Sequence, residues 1–171
     1  MSRDLLQLAL DGSHRVTPLL QTKSDELNGI VSPDGRWLAY ESNSSGPYDI
    51  YVRPFPNVAG GQSPVSTAGG RQPLWARSGK ELFYFGSDGV LFRVPVEASG
   101  ATWNAGTPMK LLEGRYYTGA GGASAGRTYD VSPDGQRFLM IKPPTDGGAV
   151  APALIVVQHF DEELKRLVPT R

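Results

Sequence analysis

The sequence has no cysteine and only two histidines among its 171 residues. The absence of cysteine excludes disulfides, thiolate metal sites and cysteine nucleophiles, and it leaves the redox compartment open. An excess of charge of either sign is also lacking, because 17 basic and 17 acidic residues give a formal net charge of zero. The sequence has no basic run of the kind that binds nucleic-acid phosphates and releases their counterions, so we expect no nucleic-acid partner.

Long apolar runs are missing as well. The longest, ALIVV at 153–157, is far shorter than the roughly 20 apolar residues that cross a bilayer, so we expect no membrane insertion by this chain. The opening MSRDLLQLALDG does not read as a signal peptide, since its short apolar run includes Gln7 and Asp11. The chain is expected to be soluble, and its compartment stays open: cytoplasmic, or extracytoplasmic as part of a longer precursor.

Glycine and proline, in contrast, are abundant. The 21 glycines and 14 prolines fall between short apolar runs and not in one tract. This distribution is typical of turns in an all-β chain. The length and apolar fraction suit a single domain with a core.

One turn with its flanking strands recurs along the chain. VSPDGRWLAY begins at Val31, VSPDGQRFLM begins at Val131, and the related WARSGKELFY begins at Trp75. The intervals are 44 and 56 residues, and the longer one contains the glycine-rich stretch TGAGGASAG. Repeats of this period predict a β-propeller, in which four-stranded blades stack radially.

The repeated turn has a structural explanation. In Ser32-Pro33-Asp34-Gly35, proline presets φ, aspartate bonds its own backbone and glycine accepts the left-handed conformation of a hairpin. We therefore interpret Asp34 and Asp134 as turn residues and not as catalytic acids. The runs after the turns (WLAYES, ELFYFG and RFLMIK) are apolar on both faces, which predicts sheets stacked between other sheets. Pro54 and Pro95 are expected near strand ends or on an exposed side.

We predict an all-β fold, a partial β-propeller of about three four-stranded antiparallel blades with a short C-terminal helix. The predicted parts are the third and fourth strands of a first blade at 4–22, a blade at 28–67, a blade at 71–112, an incomplete last blade at 127–160 and the helix at 161–167. These strands are too few for an ordinary closed ring. The chain is then part of a larger propeller, or two copies complete each other, or a monomer leaves both ends open.

The repeats resemble a known family. SPDGRWLAYESNSSGPYDIYVRPF, GGRQPLWARSGKELFY and YDVSPDGQRFLM are similar to the WD-like repeats of TolB-type propellers, also found in prolyl oligopeptidase relatives. RPFPNVAGGQSPVSTAGGRQPLWARSGKELFY and FDEELKRLVP resemble the C-terminal propeller segments of bacterial signalling proteins, including Ser/Thr kinases. The resemblance implies a propeller fold and little about function, since this fold hosts many activities. No kinase motif is present.

Other candidate motifs have simpler structural explanations. The stretch 122–126 matches G-x-S-x-G around Ser124, and Asp130 or Asp146 followed by His159 would complete the order of an α/β-hydrolase triad. A nucleophile elbow needs a strand before the serine and a helix after it, and neither is predicted here, so we expect no catalytic residues.

Metal and stacking sites are not expected either. His14 and His159 have no spacing that suggests a metal site, and we predict no metal and no cofactor. Four aromatic residues at repeat-equivalent strand positions are expected to pack between blades and not to stack on a ligand: Trp37, Trp75, Tyr40 and Tyr84.

A binding site is predicted where the first strand of each blade begins, because these positions meet at the mouth of the propeller channel. Counting back from the repeats gives Leu27, Arg71 and Arg127, followed by Asn28, Gln72 and Thr128. Two arginines at one mouth favour a carboxylate ligand, such as a peptide terminus or an acidic side chain. The predicted binding residues are Asn28, Arg71, Gln72, Arg127 and Thr128.

The sequence as a whole favours a non-enzymatic recognition or scaffolding module with a protein or peptide partner, and with self-association that completes the propeller. The alternative is the sensor or substrate-gating propeller of a larger enzyme, such as a bacterial Ser/Thr kinase or a prolyl oligopeptidase-like peptidase.

Overall fold

The computed structural model describes residues 2–114, 116–119 and 126–142. These residues form thirteen β-strands and one short 3₁₀ helix, Val58–Gly60, which confirms the all-β prediction. The described part has no helix long and apolar enough to cross a membrane. The helix predicted at 161–167 and the third strand of the last predicted blade lie outside the described residues.

The strands form four antiparallel sheets. The first consists of β1 (Leu5–Leu8) and β2 (Val16–Leu20). The second has the order β3 (Glu26–Val31), β4 (Trp37–Ser42), β5 (Asp49–Pro54) and β6 (Ser63–Pro64). The third contains β7 (Arg71–Trp75), β8 (Glu81–Phe85), β9 (Leu91–Ser99), β10 (Thr102–Ala105) and β11 (Met109–Leu112). The fourth consists of β12 (Tyr129–Val131) and β13 (Phe138–Met140).

The two middle sheets are covered on both faces, as their sequence pattern predicts. Along β8, Leu82 and Tyr84 pack in a cluster with the second sheet, whereas Phe83 and Phe85 pack in a cluster with the fourth. All four of these side chains are buried. The apolar run of each middle strand therefore supplies two interfaces, one with each neighbouring sheet.

Packing between sheets also explains the repeated aromatic residues. Trp37, Trp75 and Tyr84 lie in the cluster between the second and third sheets. Tyr40 lies in the cluster that Leu20 of the first sheet makes with the second. The expectation that these aromatics are packing residues is confirmed.

The repeated turn has the predicted geometry. Gly35 has a φ of 73° and donates its N–H to the Ser32 carbonyl at 2.9 Å. The Asp34 carboxylate accepts hydrogen bonds from the Ser32 hydroxyl at 2.6 Å and from the Arg36 Nε at 2.8 Å. These bonds, that of Ser32 above all, lower the pKa of Asp34. Asp134 accepts hydrogen bonds from the Ser132 hydroxyl and the Gln136 N–H in the same way. The interpretation of both aspartates as turn residues is consistent with these contacts.

The third sheet contains a feature that the repeat pattern does not predict. Strand β9 continues beyond its partner β8 and pairs with β10 in a hairpin that turns at Gly100. Pro95 is half-buried inside β9, and not at the strand end or exposed side where it was expected. Its carbonyl accepts the Gly106 N–H at 2.8 Å. In a strand, the nitrogen and the carbonyl of one residue point to the same edge, and at this edge the partner of β9 changes from β11 to β10. The proline therefore lies where no N–H donor is needed.

The two-faced burial gives a direct test of the stacking. Leu82 is fully buried between two sheets, so Leu82→Ala should lower the free energy of unfolding by about 2–5 kcal/mol through lost transfer energy and a cavity. Leu10→Ala, at a site that is 87% exposed, should change it by less than about 0.5 kcal/mol. Urea denaturation of both variants measures the difference, and equal effects would contradict the stacked arrangement.

Candidate binding site

The first strands of the second and third sheets begin with the same irregularity. Pairing with the neighbouring strand skips between Leu27 and Ile30 in β3, and between Arg71 and Leu74 in β7. Inside these bulges, Asn28 has a φ of 50° and Gln72 a φ of 57°. The left-handed conformation is uncommon for glutamine, and backbone strain of this kind is often associated with functional sites.

The strained residues take part in a hydrogen-bonded chain that crosses three sheets. Asn28 donates from Nδ2 to Glu41 Oε1 at 2.6 Å, and the backbone N–H of Gln72 donates to the same oxygen at 2.5 Å. Thr128 donates its backbone N–H to Gln72 Oε1 at 3.0 Å, and its hydroxyl lies 2.9 Å from the same oxygen and 2.8 Å from the Tyr117 carbonyl, either of which can accept its single proton. We call these four residues the polar ladder. Asn28, Gln72 and Thr128, which occupy equivalent positions in the repeats, are thus connected.

Gln72 is the most heavily bonded residue of the polar ladder and is 2% exposed. Its Nε2 donates to the Thr118 carbonyl at 3.0 Å, and its own carbonyl accepts the Tyr129 hydroxyl at 2.8 Å. Burial raises the pKa of Tyr129 well above 10, so this hydroxyl stays protonated and can donate. Every polar group of Gln72 therefore has a partner within the protein, and Gln72 positions its neighbours without facing a ligand.

Glu41 is the residue of this site that the sequence analysis missed. Its side chain is 0% exposed, and its Oε2 has no hydrogen-bond partner among the described residues. The nearest cation is Arg71, whose Nη1 lies 3.8 Å from that oxygen. The available signal was a glutamate directly after the four apolar residues of WLAYES, because a carboxylate in such a buried strand requires partners.

Arg71 is held from two sides while remaining partly open to solvent. Its guanidinium carbon lies 4.1 Å from the centroid of the Tyr48 ring, a cation–π contact. The Tyr48 hydroxyl donates to Asp25 at 2.7 Å, and this bond is the main cause of the lowered pKa of Asp25. The Arg71 side chain is still 43% exposed. A guanidinium fixed in this way loses little freedom when it binds an anion.

Arg127 lies beside the polar ladder residue Thr128 and is exposed. It lines a cleft of about 410 Å³ together with Tyr129, Leu139 and Met140. Within the described residues its side chain has no hydrogen bond or ion pair. Of the five predicted binding residues, the structure therefore presents the two arginines to solvent, half-buries Asn28 and Thr128, and buries Gln72.

The other motifs singled out from the sequence do not join this site. Ser124, Asp146 and His159 lie outside the described residues. His14 is exposed in the turn between β1 and β2, with a φ of 50°. The residues that the structure describes contain no group of three or more His, Cys, Asp or Glu side chains that could hold a metal ion.

A second buried acid lies at the beginning of β3. Glu26 is buried, and its Oε1 accepts the Thr22 hydroxyl at 2.5 Å, whereas Oε2 has no partner among the described residues. Burial is the main cause of a raised pKa for Glu26, and the charge of Asp4 adds to it. The folded protein therefore holds this proton more tightly than the unfolded chain does.

This difference predicts a pH-dependent stability. The cost of ionising Glu26 is absent below its ordinary pKa of 4.5 and grows as the pH rises through the raised value. Glu26→Gln should therefore raise the melting temperature, relative to the parent protein, more at pH 7.5 than at pH 4.5. Thermal melts at both pH values measure this, and Glu97→Gln controls for the change in net charge. An equal shift at both pH values would contradict the assignment.

No protein-family model and no curated protein matches the sequence. Among solved structures, the chain is similar to a candidate TolB protein from Agrobacterium tumefaciens, a β-propeller, with 19% sequence identity and a TM-score of 0.46. The match covers 63% of this chain and 42% of that one, so the chain spans less than half of that structure. This likeness supports no conclusion about a site or an activity.

Proposed function

We propose that this chain is a non-enzymatic recognition module, a partial β-propeller of about three blades, that binds a protein or peptide partner through a carboxylate. The site is the end of the sheets where β3 and β7 begin. Its ligand-facing residues are Arg71 and Arg127, and the polar ladder sets the backbone from which both arginines project.

The observation that carries this proposal is the fixed and half-exposed Arg71. The Tyr48 ring and the Glu41 carboxylate restrict its guanidinium, while N–H donors at the edge of a guanidinium held over a ring stay free to bind. The 3.8 Å separation from Glu41 is longer than a charge-assisted hydrogen bond, which measures about 2.7–2.9 Å. Arg71 therefore retains donors for a carboxylate that approaches from solvent.

Arg127 supplies the second cation. Arg71 is the first residue of β7, and Arg127 comes two residues before β12. Since the residues that follow them, Gln72 and Thr128, are hydrogen-bonded, both arginines are near the same end of these sheets. Two guanidinium groups there would attract an acidic group and hold it by charge-assisted bonds, and the attraction would weaken as salt screens it. A peptide terminus or an acidic side chain fits this chemistry.

The proposal is tested with the peptide N-acetyl-Ala-Ala-Glu, which carries a side-chain and a terminal carboxylate. We expect it to shift the backbone amide resonances of Arg71 and Arg127 in ¹⁵N–¹H spectra. Arg71→Gln combined with Arg127→Gln should weaken binding at least about tenfold at low salt, with a smaller loss at high salt.

Arg71 also compensates the buried charge of Glu41, so the arginine pair is changed again together with Glu41→Gln to preserve folding. Arg15→Gln with Arg137→Gln removes equal charge elsewhere and serves as the control. Unaltered affinity in a folded arginine variant, or equal loss in the control, would remove this end of the sheets from consideration.

We also propose that two copies of the chain associate through the outer faces of the first and fourth sheets. On β1 and β2, Leu6, Leu8 and Val16 are exposed, and on β13 Leu139 is 77% exposed. The opposite side of each of these sheets packs in the core. Apolar sheet faces that remain open in this way favour association with another sheet.

Light scattering at increasing protein concentration tests the association. Leu6→Lys with Leu8→Lys should lower the weight-average mass, because charge on the outer face of β1 opposes burial. Leu111→Lys, an exposed position of β11, should leave the mass unchanged. A parent protein that is strictly monomeric at high concentration, including after deletion of the residues before Thr17, would contradict association through these faces.

A further inference from the structure

The three repeated turns differ in one chemically important respect. In the second sheet, Asp34 forms an ion pair with Arg36 at 2.8 Å, and in the fourth, Asp134 forms one with Arg137 at 3.6 Å. In the third sheet, Ser78 occupies the position of Asp34, although the turn keeps its shape, since Gly79 has a φ of 69° and donates to the Ala76 carbonyl at 2.9 Å. The middle turn therefore lacks the carboxylate but keeps the backbone conformation of the other two turns.

The middle turn carries two cations that have no partner among the described residues. Lys80 occupies the position of Arg36, and Arg77 replaces Pro33. Within the described residues, neither side chain has a hydrogen bond or an ion pair. A turn that is internally neutralised in two sheets thus carries two free positive charges in the third.

These charges border an open cleft of about 730 Å³. One wall is the Asp34–Arg36 turn of the second sheet, another is the Arg77–Lys80 turn, and the β9–β10 hairpin forms the third. Arg36 donates to the Gly100 carbonyl at 3.0 Å and so ties the tip of the hairpin to the second sheet. The volume is within the range of about 300–1,000 Å³ that ligand pockets occupy.

We propose that this cleft binds an acidic peptide segment, with its carboxylate held between Arg77 and Lys80. Glu97 and Asn104 on the hairpin also line the cleft, and the Glu97 carboxylate has no partner among the described residues. It would repel a compact dianion and accept a peptide N–H. An extended peptide can place a carboxylate against the two cations and an amide N–H against Glu97, whereas phosphate matches only the cations.

The cleft is a separate site from the one proposed above. Arg71 begins β7, and Arg77 follows the end of that strand at Trp75. At about 3.3 Å per extended residue, and with a bulge in β7, the two positions are at most roughly 20 Å apart. The two sites therefore lie at opposite ends of one strand, and resonances at the two ends report separately.

The test uses N-acetyl-Ala-Glu-Glu-Ala-amide, followed by ¹⁵N–¹H chemical shifts of the whole chain. We expect shifts in the turn at 76–80 and in the hairpin at 97–104, besides those at Arg71 and Arg127, and none in the turn or the hairpin with the glutamine analogue of the peptide. Ser78→Asp restores the carboxylate of the other turns, should keep the fold, and should raise the Kd at least about tenfold by pairing with Lys80. Arg77→Ala with Lys80→Ala should do the same, and Asn57→Asp controls for added charge.

Each result is decisive. Loss of binding in both cleft variants with retention in Asn57→Asp supports the site, and unchanged affinity in Ser78→Asp would overturn it. Shifts confined to Arg71 and Arg127 would overturn the cleft and support the proposed function. Shifts confined to the turn at 76–80 and the hairpin at 97–104 would support the cleft and count against the proposed function. Inorganic phosphate that reproduces the shifts and displaces the peptide at equal concentration would overturn the assignment to a peptide.

Discussion

A carboxylate buried between two sheets determines how one end of this molecule is organised. Glu41 lies in β4, whose two faces are both covered, so its charge has to be met by protein groups. The Asn28 amide and the Gln72 N–H meet one oxygen, and Arg71 lies near the other. The bulges in β3 and β7 bring the two N–H donors to that oxygen. The strained backbone at these bulges therefore provides hydrogen bonds to the buried carboxylate.

The same constraint explains why recognition groups collect at the ends of the sheets. Packing fills both faces of the middle strands with apolar side chains, which leaves little room for polar chemistry along their length. Polar side chains that could bind a ligand are therefore expected where strands begin, end or turn, since water or a neighbouring loop can reach them there. Strand β7 has Arg71 at its beginning and Arg77 just after its end, so one rigid strand separates two charged surfaces.

Much of the fold could be predicted from the sequence because the repeated hairpin is a local structure. Turn residues, two-faced apolar runs and repeat-equivalent positions such as Asn28 and Gln72 can all be read from short stretches. The role of Glu41 could not, because its bond to Gln72 joins residues 31 positions apart, and the bond from Thr128 to Gln72 joins residues 56 apart. The β9–β10 hairpin could not be predicted either, because among the described sheets only the third has it, and a repeat predicts only what its copies share.

In a repeated fold, the positions where one copy differs from the others therefore say most about function. Residues that all copies share maintain the hairpin, and the ion pair of Asp34 with Arg36 neutralises a turn that would otherwise carry charge. A copy that keeps the turn but has no carboxylate there leaves a positive charge unneutralised, and the fold does not require that charge. Ser78 and Lys80 form such an exception, and it occurs beside the one hairpin that the other described sheets lack. Two departures from the repeat at one place are more simply explained by a shared ligand than by folding, since the other sheets fold without either.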